Sequence, residues 1–144
     1  MRVWAASLIG IVCAMPAQAD PSLATKQGLD GFVTADRLPV PADNVLALGH
    51  AVYADTCQNC YGGNRATGAP KVTSLRAWQP RIQKGFDILI QHALTGFVGP
   101  KYTQMPARGA NPDLTNAEVA AAVLFMVWLS GGAAQAEMYI KTTK

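Results

Sequence analysis

Two polar, glycine-rich stretches set the strongest limit on the fold: CQNCYGGNRATGAPKVTS at 57–74 and FVGPKYTQMPARGANPD at 97–113. Each lies between short segments of helical periodicity. Each is far longer than the ~2–8 residues that join helices in an economical bundle. Loops of this length suit a chain that wraps something large and apolar, which completes a core the protein alone cannot fill.

The segments around them read as helices, so the fold class is all-α, about four short helices. The first runs from Ala42 to about Asp55, with Val45, Leu46, Gly49, Val52 and Tyr53 on one side and Pro41-Ala42-Asp43 as its start. A short helix follows at Leu75 to Lys84, interrupted by Gly85. FDILIQHALTGF then places Phe86, Leu89, Ile90, Ala93 and Leu94 on one face and stops at Gly96. The last helix opens on a capping box, Thr115 with Glu118. It carries the stripe Val119, Ala122, Val123, Met126 and Val127, and ends at Gly131-Gly132. The division expected is 1–19 signal peptide, 20–41 extension or loosely packed arm, 42–132 folded domain and 133–144 frayed C-terminal tail.

The first residues, MRVWAASLIGIVCAMPAQAD, have the plan of a secretory signal: Arg2, a short apolar run, then Ala17-Gln18-Ala19 before Asp20. The run is too short for a membrane span, and no later segment reads as one. Bulky Val12 before Cys13 argues against a lipoprotein. A soluble periplasmic product of 125 residues is expected, keeping only Cys57 and Cys60 of the three cysteines. One local pair cannot staple a fold. It is a metal knuckle, a redox dithiol or, if histidine followed, a haem-attachment site. A thioredoxin-like enzyme is excluded by the lack of a βαβ pattern.

Charge is uneven. Residues 61–110 hold Arg65, Lys71, Arg76, Arg81, Lys84, Lys101 and Arg108 against Asp87, a net +6. This is a solvated face or a basic docking surface for an acidic partner. No dense basic run with interleaved aromatics points to nucleic acid.

The order of these features resembles the small bacterial class I cytochromes c, most closely the cytochrome c-five group, from about Asn44 to Gly132. LALGHAVYADTCQNC looks like that family's first helix and attachment cysteines. GAPK at 68–71 looks like its proximal proline segment, and WQPRIQKGFDILIQHALTG at 78–96 like its middle helices. MPARGANPDLTNAEVAAAVLFM at 105–126 looks like its methionine loop and closing helix. The resemblance implies a class I cytochrome c-like fold whose long loops wrap a haem pocket. It implies haem c bound covalently through Cys57 and Cys60, with Met105 as the distal ligand, its soft thioether favouring ferrous iron. It implies Pro70 beside the proximal side, and Trp78 and Arg81 near a propionate. Gly49 would allow the first and last helices to cross closely, with Tyr53 and Phe125 in the contact. Without the resemblance, Met105 reads as an ordinary loop methionine, Trp78 as core and Arg81 as surface.

The family places histidine directly after the second cysteine; this chain has Tyr61. A phenol has a free pKa of ~10 and binds iron well only as phenolate. Tyrosinate is a known haem ligand and would favour ferric iron. The two histidines, His50 on the flank of the first helix and His92 off the apolar face of the third, read as surface residues. The function expected is a non-enzymatic, one-electron carrier working with redox partner proteins. The alternatives are a five-coordinate or tyrosinate-ligated sensor or weak peroxidase, and a haem-free interaction module with Cys57 and Cys60 as a disulfide.

Overall fold

The computed structural model describes residues 29–100 and 103–143. The signal-peptide reading, residues 20–28 of the extension, and Lys101 lie outside the described residues. The molecule is mostly helical, and the four expected helices are present at Asn44–Val52 (α1), Leu75–Ile82 (α3), Phe86–Thr95 (α4) and Asn116–Val127 (α5).

Asp43 starts α1: its carboxylate accepts from the Val45 and Leu46 amides at 2.8 and 3.2 Å, satisfying donors that have no partner within the helix. The helix does not stop at Asp55. It widens into a π-helical turn at Tyr53–Cys57 and continues as Gln58–Tyr61 (α2). The cysteines therefore sit on helix rather than in the loop expected from residue 57. Gln58 helps hold the extension: its amide donates to the Ala54 carbonyl and its side-chain oxygen accepts from the Ala35 amide.

The core is the crossing of α1 and α5. A Cβ on Gly49 would lie 2.1 Å from the Ala121 carbonyl oxygen, so only glycine lets the two backbones approach this closely. Tyr53 and Phe125, both buried, meet there with ring centroids 5.7 Å apart. The Thr115–Glu118 capping box forms in both directions. Beyond the expected stripe, Ala121, Leu124 and Phe125 are buried as well, so α5 is enclosed nearly all round.

What encloses its far side corrects the sequence reading of residues 133–144. Ala133–Thr142 form a further helix (α6) instead of a frayed tail, and Ala136 and Ile140 pack with Leu46 and Leu124. Gly131, at φ 97°, turns the chain between α5 and α6. By length and composition Asn116–Thr142 could cross a membrane, contrary to the expectation of no such later segment. Most of its apolar window is buried within the molecule, as in a core helix.

The extension is also better packed than a loose arm. Val33, Ala35 and Leu38 are buried. The Val33 amide donates to the Gly62 carbonyl at 2.8 Å, and Lys71 Nζ to the Leu29 carbonyl at 2.6 Å. A two-strand antiparallel ribbon, Phe97–Val98 (β1) and Gln104–Met105 (β2), lies within the stretch read as loop, with Phe97 opposite Met105.

Candidate functional site

Spacing places the cysteines. Residues three apart on a helix share a face, and Cys57 and Cys60 line one wall of an apolar slot between α2, α5 and the β2 loop. The slot holds about 940 Å³ of space counting its open mouth. Its floor is apolar, from Ala93, Val119, Ala122, Val123 and Met126. Both cysteines are free thiols. Burial, with Cys60 and Asp55 beside it, pushes the Cys57 thiol up to about 12.

Met105 faces the cysteine wall from the ribbon, held by the β1–β2 register. The turn after it is fixed by Arg108. That residue adopts φ 53°, uncommon for a side-chain-bearing residue. Its guanidinium donates to the Leu114 carbonyl and to Asn116 Oδ1, both at 2.6 Å. Asn111 Nδ2 donates to Thr56 Oγ1 at 3.2 Å, joining this loop to the cysteine helix. The sequence reading counted Arg108 only among the basic residues and passed over Asn111. Their positions in the glycine-containing stretch ARGAN were the only signal, because the partners are set by folding.

Pro70 and Arg81 both line the slot. Arg81 also borders a neighbouring cavity of about 880 Å³ counting its open mouth, with Trp78, Lys84 and His92. Trp78 is buried, and its indole N–H donates to the Lys71 carbonyl at 3.0 Å. That donor is engaged by backbone, so Trp78 contributes packing here and no free hydrogen bond.

The histidines differ from expectation. His92 is half-buried and stacked on Phe97, centroids 4.2 Å apart. His50 is half-buried, its Nε2 3.0 Å from the Ala35 carbonyl and its ring edge-on to Phe125. Helical phase put both outside the apolar stripes. The arm and the ribbon, which cover them, leave no trace in that phase.

Tyr61 reaches across the slot. Its hydroxyl donates to Met105 Sδ at 3.1 Å, and its ring lies 6.0 Å from that of Trp78. A thioether only accepts, so the phenol carries its proton. Burial raises the Tyr61 pKa, with Cys57 and Cys60 adding to the effect and Arg81 opposing it. Phenolate is thus disfavoured at this position.

The residues fit a covalently held haem in two respects: paired cysteines on one wall and an apolar slot beside them. The axial positions do not fit. Taking zinc's ~2.0 Å oxygen and ~2.3 Å sulfur bonds as a guide to a first-row metal, ligands on opposite sides of one ion stand more than ~4 Å apart. Tyr61 Oη and Met105 Sδ, at 3.1 Å, leave no such space.

Comparison with known proteins bears on the whole. A sequence profile described as cytochrome C oxidase, cbb3-type, subunit III matches residues 44–126. Cytochrome c-555 of Chlorobaculum thiosulfatiphilum is 42% identical over 81 residues, 56% of this chain and 92% of that protein. Cytochrome c-555 of Prosthecochloris aestuarii is 39% identical over 85 residues, 57% of this chain and 85% of the relative. That of Chlorobaculum tepidum is 42% identical over 81 residues, 56% and 73% respectively. The matched span runs from the start of α1 to the end of α5, taking in both walls of the slot, and on that extent of agreement the chain belongs to the class I cytochrome c family.

Proposed function

We propose that this chain is a periplasmic monohaem cytochrome c that passes single electrons between redox partner proteins and catalyses no substrate chemistry. The observation that carries the reading is the slot itself: Cys57 and Cys60 on one wall, an apolar floor, and Met105 opposite. Cys57 and Cys60 would hold haem c by thioethers, with Pro70 against its proximal side and Trp78 and Arg81 near its edge. Bound there, the haem would supply the one-electron couple. The chain's own residues shape the slot, and Arg81 on it and Lys84 on the adjoining cavity offer basic side chains to acidic partners. The name of the relatives, cytochrome c-555, supports the same reading. The test is intact mass and a pyridine haemochrome spectrum of the exported chain, made in a strain that matures ordinary c-type cytochromes. A haem adduct whose N-terminus is Asp20 is expected; a chain with no covalent haem overturns the reading.

A second reading, a degenerate cytochrome fold used as an interaction module or five-coordinate sensor, is favoured by one observation, the 3.1 Å contact of Tyr61 with Met105. The same mass measurement separates a haem-free module from the first reading: a loss of two hydrogens marks a Cys57–Cys60 disulfide.

A further inference from the structure

We infer that Tyr61 is a bolt on Met105 rather than an iron ligand: its hydroxyl ties the cysteine helix to the methionine ribbon across the slot, and haem must break that tie to enter. The inference rests on reading the slot as a haem site.

Three observations carry it. The bond joins residues 44 apart in sequence and spans the cavity from one wall to the other. Both ends are anchored independently. The Tyr61 carbonyl accepts from the Val72 amide at 2.8 Å, while Met105 is fixed by its pairing opposite Phe97. Tyr61 and Met105 also line both cavities, the one bearing Cys57 and Cys60 and the one bordered by Trp78, Lys84 and His92. They stand where the two spaces meet. A flat ring system large enough to use both halves would have to pass through the line that Oη and Sδ occupy.

The sign of one measurement separates bolt from ligand. Haemin is titrated into the haem-free fraction of the exported, reduced full mature chain, followed by tryptophan fluorescence quenching. If Tyr61 is a bolt, Tyr61→Phe removes only the donor and binds haemin more tightly, by about two- to tenfold, the net worth of one hydrogen bond. If Tyr61 binds iron, the same substitution weakens haemin binding, and the inference is overturned; unchanged affinity overturns it too. A wild-type chain isolated fully loaded, with its Met105 methyl resonance shifted by coordination to iron, also overturns it.

Failure of the haem-site reading gives a different pattern: neither wild type, Tyr61→Phe nor Tyr61→His takes up haemin. The bolt is then judged without haem, by amide hydrogen exchange of the loop at 103–110. Tyr61→Phe and Met105→Leu, which remove the donor and the acceptor, should each speed exchange there about two- to tenfold and leave α5 unchanged. Equal exchange in both variants and wild type overturns the bolt.

Discussion

The crossing of α1 with α5 and the slot one turn farther along belong to the same helical run, yet they are built in opposite ways. At the crossing, Gly49, Tyr53 and Phe125 bring two backbones together and leave no space. At the slot, Cys57, Cys60 and Tyr61 from the helix and Met105 from the ribbon line a cavity, and the Tyr61 hydroxyl meets the Met105 sulfur across it. The π-helical turn Tyr53–Cys57 lies between the two regions. Such turns interrupt α-helical register, often at functional sites. The contrast separates what the chain spends on folding from what it keeps open for a ligand: changes at the crossing should damage stability, and changes in the slot should alter chemistry first.

The largest effect expected is at the crossing. Phe125→Ala should cost about 3–5 kcal/mol, because the ring is wholly buried and touches His50, Tyr53 and Trp128. Equilibrium urea unfolding measures it; a loss below ~1 kcal/mol would mean the crossing is not the core.

Gly49→Ala comes next, at about 1–3 kcal/mol or somewhat more. The added methyl meets backbone, which yields less easily than the end of a side chain. An unchanged thermal midpoint would dissolve the distinction drawn between the two regions.

The effect expected in the slot is absent near neutral pH and appears only in alkali. The Cys57 thiol is pushed up to about 12 by burial, Cys60 and Asp55, whereas an unfolded thiol ionises near ~8.5. Between those values the folded chain keeps a proton that the unfolded chain has lost. Its contribution to stability is therefore complete below ~pH 8.5 and falls as pH rises towards about 12. Tyr53 and Tyr61, raised chiefly by burial, act in the same sense at higher pH. Urea midpoints of the reduced, haem-free chain should decline over this range, and Cys57→Ala should flatten the earlier part. A midpoint that rises with pH would contradict the sign.

Much of the fold was legible because it is written in neighbours three and four residues apart. The faces of α1 and α4 and the capping box of α5 all follow from helical spacing. The family's arrangement of blocks pointed to the slot, and the wall residues Cys57, Cys60, Pro70, Arg81 and Met105 do gather there. The misses share a cause. The helix at Ala133–Thr142 has a weak apolar pattern and owes its place to Leu46 and Leu124. The arm, polar and punctuated by proline, is held by the Gly62 carbonyl, Gln58 and Lys71, which no local window contains. The histidines are covered by those same elements.

The sequence by itself determined the four principal helices, the spacing of the paired cysteines and the tyrosine after them, since each depends on residue type and short-range spacing; that the cysteines lie on helix came from the structure. Only the tertiary structure decided what Tyr61 touches. Its partner is a methionine 44 residues away, delivered by a two-strand ribbon whose register comes from pairing. Short-range periodicity carries no information about contacts across that distance; closing the chain around the slot brings the hydroxyl and the sulfur together.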